Sequence, residues 1–223
     1  MTISLAVKGT ACLLQGVALY STVQDVRGNY SSKIKPEGVD LDQIKQLQQY
    51  ASESATTLFN KTKSFSVHLE KTDSQWATCA VGTNFGPASI AIDAITVANS
   101  EPLARFWLSY SVAVICSNVV LKVQSISLIV FIATAILLSP TLPVASYAIA
   151  YGLGSLIGHA FDRKLHLSAF EKAVAHSSNE QLTQAKAYLK LQQQSGKSEI
   201  SYLDAKLALL NAKITENNIR TND

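Results

Sequence analysis

Apolar residues dominate one long segment of the chain, and charged residues are almost absent from it. Within residues 106–161 the only charged side chain is Lys122, whereas the other 34 of the 35 charged residues lie outside this segment. A helix that crosses a lipid bilayer needs about 20 consecutive, mostly apolar residues. Val119–Leu138 and Leu142–Phe161 each supply a stretch of 20 such residues. The pattern therefore predicts a hydrophobic membrane region over 106–161, with a helical hairpin over 119–161.

The two predicted helices are joined by a short segment that contains Pro140 and Pro143. Pro140 lacks an amide hydrogen and disfavours helix at the residue before it, whereas Pro143 is compatible with the first turn of the next helix. A tight turn puts both ends of the hairpin on one side of the membrane. The basic residues that flank the hairpin are Arg105, Lys122, Arg163, Lys164 and Lys172. Because basic flanks favour the cytosolic side, we expect an integral membrane protein with both termini in the cytosol.

Two other features of the hairpin bear on its packing. Gly154 and Gly158 form a GxxxG pattern, which favours close packing against the first hairpin helix or against a second copy of the chain. A helix that is apolar all round is also typical of the centre of a soluble bundle. In that alternative, amphipathic helices would cover a stored hairpin and release it into a membrane later, as in a pore-forming or membrane-remodelling protein.

The segment before the hairpin, residues 1–105, has the pattern of a helical region. Lys8 interrupts the apolar N-terminus, which favours a helix there over a secretory signal. Asp40 and Gln43 fit an N-cap and its reciprocal partner at the start of a long amphipathic helix. The apolar stripe of this helix comprises Leu41, Ile44, Leu47, Ala51, Ala55, Leu58, Thr62 and Phe65. Residues 88–99 then predict a short apolar helix that carries Asp93.

After the hairpin, residues 162–223 predict an antiparallel pair of helices that turns at Gly196 and ends in a frayed tail from residue 215. The first helix has an apolar stripe at Leu182, Ala185, Leu189 and Gln192. The second has a stripe with coiled-coil spacing at Ile200, Leu203, Leu207, Leu210 and Ile214. Residues 195–214 resemble locally the helical-hairpin repeat of outer-membrane efflux factors, which supports the turn. We expect the second stripe to bind a protein partner or another copy of the chain.

The sequence offers little catalytic chemistry. His159, Asp162 and His166 share one face of a helix and are the only weak candidates for a metal site. Asp93 would be an ion or proton group only if its helix entered the membrane. The three cysteines are widely separated and lie in apolar surroundings, which raise thiol pKa values. Since no catalytic or nucleotide-binding motif is present, we expect neither catalytic residues nor a cofactor, and no enzyme activity.

Taken together, the patterns predict an all-α fold in a membrane-anchored interaction or scaffold protein that presents helical arms to a partner. Its hydrophobic hairpin resembles that of membrane-inserted effectors secreted by intracellular bacteria, which implies a secreted effector. The expected partners are a lipid bilayer and a protein or a second copy, and the net charge of +3 with mixed signs disfavours nucleic acid. An intramembrane enzyme or carrier is a third interpretation. The sequence leaves open whether residues 106–118 enter the bilayer.

Overall fold

A computed structural model describes residues 41–70, 78–82, 88–138, 140–141, 145–195 and 200–220. These residues form seven helices and three strands. The all-α prediction is confirmed in that the chain is mostly helical, whereas the three strands were not predicted. In chain order the elements are α1 (Leu41–Phe59), β1 (Ser66–Glu70), β2 (Thr78–Gly82), β3 (Ala88–Asp93), α2 (Ala94–Asn99), α3 (Glu101–Cys116), α4 (Val119–Leu138), α5 (Ala145–His176), α6 (Asn179–Gln194) and α7 (Ile200–Arg220).

The chain divides into two compact units. The described part of one, which we call the hairpin unit, lies within residues 119–164, and the described part of the other, the core unit, lies within 41–118 and 165–220. Helix α5 belongs to both, with residues 145–164 in the hairpin unit and 165–176 in the core unit. This division differs from the predicted boundaries at 105 and 161. The core unit is built from two separate parts of the sequence.

A small mixed sheet lies at one side of the core unit, with strand order β1-β3-β2. β3 pairs parallel with β1 and antiparallel with β2, and Ile90 faces Val67 on one side and Ala80 on the other. The predicted helix over 88–99 is therefore correct only for residues 94–99. A strand at the centre of a sheet reads as a continuous apolar run, and periodicity alone does not separate such a run from a buried helix.

Helix α1 buries part of its predicted stripe, including Leu47, Ala51 and Ala55. It ends at Phe59, earlier than predicted, because Asn60 adopts a left-handed conformation with φ of 51°. Asparagine is among the residues that tolerate this conformation at the end of a helix. Phe65 therefore contributes to the core from the segment before β1, and not from the helix. The predicted N-cap at residue 40 lies outside the described residues.

Helix α3 is the centre of the core unit, and twelve of its sixteen residues are buried. One face, which includes Leu108 and Val112, packs with α1 and the sheet. Another face, which includes Phe106 and Trp107, packs with side chains of α5, α6 and α7. Protein therefore surrounds this helix, and residues 106–116 form part of the protein core.

Helices α6 and α7 follow, as the apolar stripes predicted. Ser178 and Gln181 cap the start of α6 reciprocally, since each side chain bonds to the backbone amide of the other. Six stripe residues are buried in a single cluster, namely Leu182, Ala185, Leu189, Leu203, Leu207 and Leu210. Helix α7 continues to Arg220, so the predicted frayed tail is helical over residues 215–220. The predicted turn at residue 196 lies outside the described residues.

Candidate functional site

The most distinctive surface of the chain is on α4, which has the predicted bounds Val119–Leu138. Of its 20 residues only Val119, Phe131 and Ala135 are buried. Large apolar side chains are instead exposed along its length, and Ile129, Ile136 and Leu137 have exposures of 65%, 66% and 76%. The first half of α5 extends this surface with Ile149, Tyr151, Leu153, Leu156 and Phe161. We call the exposed apolar side chains of α4 and residues 145–161 the apolar belt.

Within the hairpin unit, the two helices approach closely at the predicted glycines. A Cβ atom built on Gly154 would lie 2.9 Å from the backbone oxygen of Ser127, and one built on Gly158 would overlap the Ser127 hydroxyl. Further towards the turn, the rings of Phe131 and Tyr147 lie 6.5 Å apart. Later residues of α4 contact earlier residues of α5, so the two helices are antiparallel. In this structure the GxxxG pattern is used between α4 and α5.

Among the described helices, only α4 is long and apolar enough to cross a membrane by length and composition. The second predicted span, residues 142–161, does not qualify by the same criterion. Its helix begins at Ala145 in the structure and continues past the predicted end at residue 161 through charged residues to His176. Tyrosine, serine, glycine and histidine also dilute its apolar character. The described structure thus contains one candidate span, where the sequence predicted two.

A second distinctive site lies in the core unit around Lys206, which is 8% exposed. Its ammonium nitrogen lies 4.2 Å from the ring centroid of Tyr202, 5.2 Å from those of Tyr110 and Phe170, and 5.9 Å from that of Trp107. Burial lowers the pKa of Lys206 from 10.5 to about 8. We call these four rings the aromatic cage.

The aromatic cage was missed at the level of sequence, although a signal was present. Lys206 lies three residues after Leu203 and one before Leu207, on the apolar side of α7. Tyr202 is four residues before it, which places both side chains on one helical face. A lysine inside an apolar stripe with a neighbouring aromatic residue could have been singled out on these grounds.

The stripe of α7 that was expected to bind a partner lies inside the core unit. Leu203, Leu207 and Leu210 are buried in the core of the chain itself, and Ile214 is partly buried beside them. The side chain of Ile200 is not described. These residues close the core unit against α3 and α6, so a partner would have to bind to other surfaces.

The weak metal candidates are not supported by the described part of the chain, which contains no group of three metal-binding side chains. His159 and Asp162 lie in the hairpin-unit part of α5 and His166 in its core-unit part. The Nδ1 atom of His166 lies 2.7 Å from the Tyr110 hydroxyl. Asp93 caps α2 by accepting hydrogen bonds from the amide and hydroxyl of Thr96.

The environment predicted for the cysteines is found at Cys116, which is a buried free thiol. Burial raises its pKa, and the positive charges of Lys63, Lys61 and Lys172 partly oppose this effect. The thiol is therefore mainly protonated at neutral pH and a weak nucleophile.

Comparisons of the chain with protein-family models, curated proteins and solved structures found no match. The described residues are mainly helical and include one candidate membrane span and a core unit that combines helices with a small sheet.

Proposed function

We propose that this protein is a membrane-anchored interaction protein, in which the hairpin unit enters a lipid bilayer and the core unit stays in the aqueous phase beside it. The observation that carries the proposal is the apolar belt. Exposed leucine, isoleucine and phenylalanine side chains of this density are unfavourable in water and favourable in hydrocarbon.

The dimensions of α4 support this proposal. Its 20 residues, at about 1.5 Å per residue, give a length of about 30 Å, which matches the hydrocarbon thickness of a bilayer. Lys122, in the first turn, is its only charged residue and is exposed. A lysine at this position can extend its stem and place the ammonium group at the interface.

The first half of α5 would form the returning leg of an inserted hairpin. Residues 145–161 precede the first charge at Asp162 and number 17, which is near the lower limit for a spanning helix. Its close contact with α4 at Gly154 would let the two legs enter together, because small residues permit tight helix packing in lipid. Both ends of such a hairpin would lie in the cytosol, in keeping with the basic flanks.

The structure gives less support to a stored hairpin in a soluble pore-forming protein. Such a form requires the apolar side chains to be covered before insertion, whereas Leu137 and Leu156 are 76% and 71% exposed. The core unit has a well-packed interior of its own and does not need lipid. We infer that it presents the arms of α6 and α7 to a protein partner through their exposed faces.

Cysteine accessibility tests the insertion. Single cysteines would replace Thr141 in the turn and Asn211 on α7, both exposed, on a background in which the native cysteines are removed. We expect a membrane-impermeant maleimide to label residue 211 in vesicles with the cytosolic face outside. Residue 141 should label only after the vesicles are permeabilised.

Two outcomes would contradict the proposal. Labelling of both sites without permeabilisation would mean that the turn does not cross the bilayer. Extraction of the protein by alkaline carbonate would mean that it is not integral. Leakage of trapped dye from liposomes exposed to a detergent-free, monodisperse protein would instead favour the pore-forming alternative.

A further inference from the structure

We propose that the core unit carries a binding surface for anionic lipid headgroups, formed by Lys61, Lys63 and Lys172 where the chain leaves the core unit for α4. We call these three residues the basic border. The inference rests on the proposed function, because it names the kind of bilayer that the inserted hairpin would select.

Lys172 connects the elements of this surface. Its ammonium nitrogen lies 4.7 Å from the ring centroid of Phe59, the last residue of α1, and 3.4 Å from the hydroxyl oxygen of Ser117. Ser117 follows the last residue of α3 and is two residues before Val119, where α4 begins. Lys172 is nevertheless exposed. Its charge therefore lies beside the residues through which the chain passes from α3 to α4.

Lys61 and Lys63 lie in the segment after α1 and come close to the same point. The charges of both lysines and of Lys172 act on the thiol of Cys116, the last residue of α3, which places all three in one electrostatic neighbourhood. Lys61 is exposed and Lys63 half-buried, with its ammonium 5.9 Å from the ring centroid of Phe65. Residues from three parts of the sequence thus converge on one end of the core unit.

The opposite ends of α1 and α3 have a different charge. Tyr50 of α1 forms a hydrogen bond with Ser109 of α3. Nearer the ends of the two helices, Phe59 and Ser117 both contact Lys172. The helices α1 and α3 therefore run parallel, and their last residues lie at the same end. The first turns of α1 and α3 carry acidic residues that are paired with basic ones four or fewer positions away. The basic border therefore lies beside the end of this helix pair that leads into α4, whereas the charges in the first turns at the other end are paired.

The chemistry of this border fits a phosphate-bearing surface. Lysine is a compact cation on a flexible stem, and lysines beside a membrane segment are attracted to anionic leaflets at about 1 kcal/mol each, or about fivefold in affinity. Three lysines would then favour an anionic bilayer over a neutral one by on the order of a hundredfold. The attraction decreases within about 10 Å at an ionic strength of about 0.1 M, so only lysines near the entry point of the chain contribute strongly.

A competition between two vesicle populations tests the inference. The full chain would be synthesised in a cell-free system with equal amounts of phosphatidylcholine vesicles and of vesicles that contain phosphatidylcholine and phosphatidylserine. The populations would be separated by an affinity tag on one of them, washed with carbonate and assayed for protein. We expect strong preference for the anionic vesicles, which falls as salt is added.

The basic-border variant is Lys61→Gln with Lys63→Gln and Lys172→Gln, for which we expect similar amounts in both populations. The matched control removes the same charge elsewhere, with Lys45→Gln, Lys186→Gln and Lys190→Gln, and should keep the wild-type preference. Circular dichroism of both variants in detergent checks that they remain folded.

The inference is overturned if the wild-type chain distributes equally, if the basic-border variant keeps the preference, or if the control loses as much of it. In each of these cases carbonate-resistant protein in the vesicles leaves the proposed function intact. Absence of carbonate-resistant protein from both populations would instead overturn the proposed function, and with it the basis of the inference.

Discussion

Replacement of Lys206 by methionine tests whether the buried ammonium group destabilises the core unit at neutral pH. A fall in pKa from 10.5 to about 8 corresponds to about 3 kcal/mol, at about 1.4 kcal/mol per pH unit. The four rings of the aromatic cage stabilise the charged form by about 0.5–2 kcal/mol per favourable contact and act against the burial. The destabilisation caused by the buried charge is therefore at most about 3 kcal/mol. Lys206→Met should raise the free energy of unfolding at pH 7 by up to this amount.

The pH dependence gives the sharper test. Between pH 8 and pH 10.5 the folded state binds fewer protons at Lys206 than the unfolded state, so the wild-type chain gains stability as the pH rises. The advantage of Lys206→Met should therefore be full below pH 8 and shrink towards pH 10.5. Urea unfolding of the full chain in an uncharged detergent, followed by tryptophan fluorescence at pH 7, 8, 9 and 10, measures this difference.

Two other groups affect the pH dependence in the opposite direction. Burial raises the pKa values of Tyr188 and Cys116, so each lowers the stability of the folded state when the pH becomes high. Both groups are present in wild type and variant, and their contributions cancel in the difference. Lys213→Met, which changes a lysine of the same helix that is paired with Glu216, serves as the control. A difference between wild type and Lys206→Met that is the same at pH 7 and pH 10 would refute the reasoning.

Three further predictions concern packing and capping. Gly154→Ala would place a Cβ atom 2.9 Å from a backbone oxygen of α4, and should destabilise the hairpin by about 1–3 kcal/mol in a dodecyl sulfate titration of mixed micelles. Gly152→Ala has open space at its Cβ position and should be tolerated, and equal effects would contradict the packing. Ser178→Ala removes one half of the capping box and should cost about 1 kcal/mol in urea unfolding, whereas an unchanged midpoint would show that the cap is not important. Phe170→Ala empties a fully buried position in the aromatic cage and should lower the free energy of unfolding by about 3–5 kcal/mol. The side chain of Phe161 is 41% exposed, so Phe161→Ala should lower it far less in the same assay.

The elements that could be predicted from the sequence are those whose signal is local. Helix α4 has an apolar run as long as the helix itself, and its bounds followed directly. The stripes of α6 and α7 repeat every three or four residues, so both helices were found. The environment of α3 could not be predicted in the same way, because a protein core and a lipid bilayer both require apolar residues. Composition alone did not assign residues 106–116 to the core.

The features that were missed depend on contacts between distant residues. β3 is a strand because β1 and β2 supply hydrogen bonds on both of its edges, and Ser66 pairs with a residue 23 positions later, Ser89. The aromatic cage needs rings from α3 and α5 in addition to Tyr202 of its own helix. The basic border likewise combines two distant parts of the sequence, the segment with Lys61 and Lys63 and the helix with Lys172. A pattern confined to one element contains none of this information.

The interrupted sequence of the core unit has a consequence for biosynthesis. Phe106 on α3 contacts the ring of Phe170, which is synthesised 64 residues later. The leucines of α6 and α7 that complete the same cluster are synthesised after Phe170. The hairpin helices leave the ribosome during this interval. An apolar face of α3 is therefore uncovered while α4 is being synthesised, and the core unit can complete its folding only after the hairpin helices have been synthesised. Synthesis that stalls within residues 119–164 would leave a chain with two apolar surfaces exposed, a substrate for chaperones and for degradation.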